Sequence, residues 1–286
     1  MIQAGAGIIQ DIWTHPANRG RRIRSVARFL GWQLEKHVLR RPRVMHFHGL
    51  KLKCYPDSTS ASGAIYFNGL PDYREMRFMQ HYLQPGDNFL DIGANIGVYS
   101  MLAASRVGNS GSVDAFEPVE LTAQRIEEQV VLNELDNIEV HRLAVGDKEQ
   151  TVAFGITKDT TMSHLQREGE STITSLQVRC IRLDGFKPAK RYAMGKMDIE
   201  GAEPLALKGA VEKLVQANPP VWLLELAGYS QSYGMNSDEL VQFLKSNGFT
   251  CGVYIPDKRQ IMFTDRPWEL GVQNVLAIND QHRDFV

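Results

Sequence analysis

A chain of 286 residues, 43% apolar and 23% charged, has the composition of a folded globular protein with room for one large domain and an extension. Its net charge of -1 excludes a global attraction to nucleic acid or to membranes. Three scattered cysteines, Cys54, Cys180 and Cys251, form no CxxC pair, which argues against a disulfide framework and for a reducing, cytoplasmic setting.

The opening MIQAGAGIIQDIW lacks a charged start followed by a long apolar run, so it does not read as a signal peptide. No stretch approaches the roughly 18 consecutive apolar residues of a membrane span. Charge is nevertheless uneven. Residues 1–50 hold nine Lys/Arg against two acids, a net +7, which leaves -8 for the remainder. Within RRIRSVARFLGWQLEKHVLRR (21–41), Ile23, Val26, Ala27, Leu30, Leu34 and Val38 recur at spacings of three and four, which predicts a helix with one apolar face. The simplest expectation docks that face on the main domain or on a second subunit. A basic amphipathic helix also suits an anionic membrane surface as partner. Residues 44–56 alternate in part and predict a strand or hairpin. His46 and His48 share a side there, but two histidines alone rarely make a metal site. We divide the chain into a basic extension, 1–60, and a main domain, 61–286.

From Asp72 to Leu83 the pattern is helical, with Pro85-Gly86 as the stop. Strands are then predicted at Asn88–Ile92, Ser112–Phe116, Ile138–Val145, Tyr192–Ile199, Val221–Leu226, Phe249–Tyr254 and Val272–Ile278. Helices are predicted at Val98–Arg106, Leu121–Leu135, Pro204–Gln216 and Ser237–Asn247. This alternation implies an α/β fold with a doubly wound, mostly parallel sheet. Residues 151–183 interrupt it: TVAFGI and TITSLQVRCIRL flank a polar stretch, which predicts an inserted β-hairpin with a loop.

The most informative segment is NFLDIGANIGVYS, Asn88–Ser100. An apolar strand ends at Asp91, and Gly93, Asn95 and Gly97 turn the chain into a helix. Ligands of such sheets bind at the carboxyl ends of the strands. A dinucleotide fold would read GxGxxG here; this turn reads GANIG, with Asn95 for the second glycine and Val98 for the third. Asp91 would repel a phosphate and attract an ammonium group, so a ligand with an amino-acid end fits better. The second strand ends in AFEP, where Glu117 can accept hydrogen bonds from both hydroxyls of a ribose.

Together DIGANIGVYS, AFEP, LAVGD and KMDIEGAE resemble the FkbM-type methyltransferases, in order and spacing, over roughly residues 64–226. The resemblance implies a Rossmann-like methyltransferase fold with seven strands, the last antiparallel, and helices on both faces. It implies S-adenosylmethionine as cofactor and O-methylation as the reaction. Carried onto this chain, Asp91, Gly93, Ala94, Asn95 and Gly97 would hold the methionine end of the cofactor, Glu117 the ribose, and Pro118 with Leu143 and Ala144 the adenine.

Methyl transfer to an alcohol benefits from a base. Asp198, Glu200 and Glu203 follow the fourth strand, with Asp198 beside the methionine moiety; Glu225 ends the fifth. Glu200 and Glu203 can also complement the positive end of the following helix. Asp198 and Glu225 on adjacent strand ends suggest either proton transfer or Mg²⁺ binding. His164, in the polar insertion, is a further candidate base, and Tyr229 and Tyr233 candidate pocket walls. The expected acceptor is a hydroxyl of a sugar, glycan or secondary metabolite, with no nucleic-acid partner. A nicotinamide-dependent oxidoreductase and a non-catalytic nucleoside-binding protein are the competing readings. Subunit number is not legible.

Overall fold

The computed structural model describes residues 2–58, 60–156, 164–165, 174–226 and 229–285. Helices α1 (Ile2–Thr14) and α2 (Arg22–Leu34) lead through a π-helical turn, Glu35–Leu39, into strands β1 (Arg43–Phe47) and β2 (Leu50–Cys54). These form the expected hairpin, with Phe47 opposite Leu50. The connecting His48 and Gly49 both have positive φ, 49° and 87°, as a two-residue turn matched to strand twist requires. Helices α3 (Ser60–Asn68) and α4 (Tyr73–Tyr82) follow. Neither α1 nor α3 was signalled by the sequence: α1 (IQAGAGIIQDIWT) carries two glycines, poor helix formers, in its first half, and α3 (SASGAIYFN) has little amphipathic contrast.

The remaining elements alternate as expected. They are β3 (Asn88–Ile92), α5 (Val98–Val107), β4 (Ser112–Phe116), α6 (Glu120–Leu132) and β5 (Ile138–His141). Then come β6 (Ala144–Val145) and, in the insertion, β7 (Gln150–Ile156), β8 (His164–Leu165) and β9 (Thr174–Ile181). The chain then runs through β10 (Met194–Met197), α7 (Glu203–Lys208), α8 (Val211–Val215), β11 (Val221–Glu225), α9 (Ser237–Ser246), β12 (Phe249–Ile255), β13 (Gln260–Phe263) and β14 (Asn274–Asn279).

The central sheet has the order β13-β12-β14-β11-β10-β3-β4-β5. Strands β5, β4, β3, β10 and β11 are mutually parallel, and β14 enters antiparallel between β11 and β12. The sheet therefore has eight strands where seven were expected. The eighth, β13, folds back on β12 as a hairpin edge. Alternate side chains feed two cores: Phe89, Val113, Met194 and Leu223 pack with α4, α5 and the N-terminal hairpin, while Leu90, Phe116, Trp222 and Leu224 pack under α7, α8 and α9.

The predicted strand 138–145 divides at Arg142–Leu143. Its first half pairs with β4 and its second with β9, in a separate four-stranded sheet ordered β6-β9-β7-β8. The predicted hairpin is the antiparallel β7–β9 pair of that sheet, from Gln150 opposite Cys180 to Ile156 opposite Thr174, and β6 and β8 widen it; most of the polar loop between its strands lies outside the described residues. The predicted helix 204–216 is interrupted at Gly209, where a Cβ would stand 2.0 Å from the Gly146 carbonyl. The extension is not a separate body: Trp32, Met45, Phe47 and Leu52 belong to the same apolar cluster as Met76, Phe89 and Tyr99. No described helix is long and apolar enough to cross a membrane.

Candidate active site

The order of the sheet reverses beside β3, the strand from which chain connections leave in both directions, and the site lies outside its carboxyl end. After β3 the chain turns at Gly93, φ 77°, where a Cβ would lie 1.9 Å from the Asp198 carbonyl oxygen. Only glycine lets the first and fourth parallel strands converge here. The N–H groups of Gly93 and Ala94 both donate to the Phe116 carbonyl, at 3.0 and 2.9 Å. Asn95 sits at φ 53°, a left-handed conformation asparagine tolerates, and Gly97 at φ 84° opens α5.

Glu117 is buried at the end of β4. Its Oε2 accepts from the Asn95 N–H and its Oε1 from the Val119 N–H, both at 2.9 Å. Burial raises its carboxyl above the ordinary range, and these donors oppose that. The two N–H groups fix the carboxylate in one orientation, with lone pairs left for a diol.

Asp91 is wholly buried, as are its neighbours Ser100 and Lys196. Ser100 donates to Asp91 at 2.6 Å, and the Lys196 ammonium lies 3.7 Å from Asp91, 3.3 Å from Asp198 and 3.1 Å from the Gly93 carbonyl. It also stands 5.0 Å from the centre of the Tyr99 ring, whose hydroxyl donates to Asp72 at 2.9 Å. Burial alone would lower the Lys196 ammonium; Asp198 and Asp91 outweigh it and hold it above its ordinary value. Lys196 is thus the counter-charge of the first and fourth strand ends.

A cavity of about 540 Å³, its mouth included, opens here. Of the residues singled out in the sequence, Gly93, Asn95, Glu117, Pro118, Leu143, Ala144, Asp198 and Glu200 line it. Asp91, Ala94 and Gly97 do not: Asp91 lies behind the turn, Ala94 packs on Ala115 and Ile126, and Gly97 abuts Ile126. Sequence reasoning missed Phe154 and Leu165, which the inserted sheet brings over the cavity, and Lys196. A lysine in the apolar run YAMGKMDI was the available signal, because a buried ammonium demands acids nearby.

On the far side of the cavity the turn after β10 carries two left-handed residues in succession, Glu200 (φ 57°) and Gly201 (φ 100°). Glu203 braces this turn: its Oε1 accepts from the N–H groups of Ile199 at 2.8 Å and Gly201 at 3.4 Å. Burial pushes Glu203 up to about 7. Glu225, at the end of β11, is raised to about 9, first by burial and then by Asp198, Glu203 and Glu200. That shift favours the protonated form of Glu225 beside Asp198, which follows the neighbouring strand β10.

His164 lies buried in β8 opposite Gly155, and it is its neighbour Leu165 that faces the cavity. The Tyr233 hydroxyl donates to the Leu165 carbonyl, outside the cavity lining. Among the described residues one triad has metal-compatible spacing, Asp114, Glu139 and His141. Lys187 and Lys190 already occupy its carboxylates at 2.6 Å, so it is an ion-pair cluster.

The parts fit a nucleoside joined to an amino acid. Pro118, Leu143, Ala144, Phe154 and Leu165 give an apolar slot that could take a base, the Glu117 carboxylate could accept from ribose hydroxyls, and the glycine turn with Asp198 could receive an ammonium-bearing end. A model of the methyltransferase FkbM domain matches residues 91–251, more than half of the chain. The chain belongs to the FkbM methyltransferase family. It is accordingly a methyltransferase dependent on S-adenosylmethionine, which brings an electrophilic methyl group on a sulfonium. The nicotinamide-dependent and non-catalytic readings fall away. No curated protein matches it. Similar solved structures include precorrin-6y C5,15-methyltransferase from Geobacter metallireducens GS-15, at 13% identity over 73% of this chain and 89% of that one, TM-score 0.40. Another is SMU.1697c from Streptococcus mutans, in complex with SAH, at 10% identity over 73% and 97%, TM-score 0.43.

Proposed function

We propose that this FkbM-family enzyme methylates a hydroxyl oxygen of a sugar, glycan or secondary metabolite, with Asp198 as the base. The observation that carries the reading is the Asp198 carboxylate itself, 38% exposed in the cavity wall at the end of β10, with Glu225 ending the adjacent strand β11 and raised toward its protonated form. With S-adenosylmethionine bound to supply the methyl group, Asp198 would take up the proton that the acceptor hydroxyl releases on transfer. Alignment of the hydroxyl with the methyl carbon supplies much of the remaining acceleration. The two acids that line this cavity beyond the glycine turn, Asp198 and Glu200, suit hydrogen bonds from a polyhydroxylated acceptor and disfavour a phosphate backbone. The free, buried cysteines Cys54, Cys180 and Cys251 suit a reducing cytoplasm.

Mg²⁺ held by Asp198 and Glu225 is the second reading. It is favoured by Glu225 Oε2, a buried oxygen with no hydrogen-bond partner among the described residues. Transfer of labelled methyl groups to a panel of sugars, with and without exhaustive chelation, separates the two. The base reading expects full activity in chelator, a loss of about 100-fold or more in kcat for Asp198→Asn, and a far smaller loss for Glu225→Gln. Abolition by chelator, restored by Mg²⁺, and equal damage from both substitutions would install the metal instead. Transfer to nitrogen or carbon acceptors alone would reject the hydroxyl.

A further inference from the structure

Helix α2 docks by the face that its hydrophobic periodicity did not select. Ser25, Phe29 and Trp32 are its buried residues. Phe29 meets Phe67 edge-on at 5.6 Å, Trp32 lies 5.2 Å from Tyr66, and Ser25 donates to Asn18 at 2.8 Å. The predicted apolar stripe points outward: Ile23 is 77% exposed, Leu30 57%, Leu34 51% and Val38 67%. At about 1.5 Å per residue it runs roughly 22 Å. Leu39 and Val44 continue it in sequence, and Trp13 of α1, 44% exposed, lies under the Arg22 guanidinium at 5.7 Å.

Charge says what this stripe meets. From residue 12 to residue 50 the sole acid is Glu35, which is buried and held by Arg41 and Arg43. Arg22, Arg24 and Arg40 have no acidic partner among the described residues, and Arg22 and Arg24 flank the exposed apolar stripe at Ile23. A two-fold dimer through α2 would set this basic surface against its own copy, a like-charge contact. An anionic bilayer accepts all of it: acyl chains take the leucines, the headgroup layer takes tryptophan, and phosphates take the arginines. We propose that α2 lies on an anionic phospholipid surface, parallel to it, and carries the enzyme to acceptors held there. The proposal is independent of which atom is methylated, because none of these residues lines the active-site cavity.

The test is co-sedimentation of the full chain with phosphatidylglycerol–phosphatidylcholine vesicles and with pure phosphatidylcholine vesicles, at low and high salt. Binding confined to the anionic vesicles and weakened by salt is expected. Leu30→Glu/Leu34→Glu and, separately, Arg22→Gln/Arg24→Gln/Arg40→Gln should each weaken it by about tenfold or more. All five positions are exposed, so both variants should keep the wild-type melting temperature and affinity for S-adenosylmethionine. Equal binding by the variants, indifference to lipid charge, or a solution dimer that Leu30→Glu/Leu34→Glu dissociates would each overturn the proposal.

Discussion

Glu225 shows how one carboxyl can couple the site to stability. Its unfolded reference lies near 4.5, and burial among Asp198, Glu203 and Glu200 raises it to about 9 in the folded chain. Between those values the folded state binds a proton that the unfolded state has released, so this group's contribution falls as pH rises from about 4.5 to about 9. Glu225→Gln keeps the shape and a hydrogen-bond donor but cannot ionise. Without cofactor, the variant should match the wild type near pH 5 and exceed it near pH 8 by roughly 2 kcal/mol, an upward shift of several degrees in melting temperature. Parallel melting curves across that range would refute the assignment. Much of this site was legible because the glycine turn and Glu117 act through backbone geometry close in sequence. Lys196 was not, because its meaning depends on Asp91, brought alongside by strand order.

At the scale of elements, period and punctuation located most strands and helices, and failed where tertiary pairing decides. Nothing in Ile138–Val145 marks the place where the chain leaves one sheet for another. Nor does α2 reveal which of its faces docks, since Phe29 and Trp32 outweigh a longer but thinner stripe. Side chains also do backbone work between elements: Gln129 of α6 exchanges two 2.8 Å hydrogen bonds with the Lys53 backbone, and Asn133 does likewise with Lys51 at 2.6 and 2.7 Å. These amides cover the free edge of β2. Asp114 plays the comparable part in β4. It is fully buried and accepts from His141, Lys187, Lys190 and Tyr192, and despite burial these bonds hold it well below the usual carboxylate range. Asp114→Asn strands the Lys190 ammonium and leaves Lys187 with Glu139 alone, and should cost about 3 kcal/mol in urea unfolding, the low end for a broken buried pair, because the lysines are partly exposed. Tyr192→Phe removes one hydrogen bond and should cost about 1 kcal/mol. Equal costs would show that Asp114 is no hub.

The whole molecule raises the question whether the catalytic fold stands without its first 60 residues. Sequence punctuation suggests that it does, since charge and composition change there. Packing argues the reverse. Trp32 fills the space above Gly63, where a Cβ would come within 3.1 Å of its indole nitrogen. Asn18 donates to Asn68 and to the Ile12 carbonyl, both at 2.8 Å, and His15 meets the Pro71 carbonyl at 2.8 Å. Phe47 and Leu52 complete the cluster over α4 and α5, the helices that flank the active-site turn. Removing residues 1–60 would therefore uncover apolar side chains across α3, α4 and α5 together, and no polar surface stands ready to replace the lost cover. The fragment 61–286 should melt without a cooperative transition, bind a hydrophobic dye and fail to bind S-adenosylmethionine. A fragment that unfolds cooperatively within a few degrees of the full chain would make the extension an accessory. Leu30→Glu/Leu34→Glu sharpens the contrast, because it alters the same helix on its outer face, where cooperative unfolding should be unchanged.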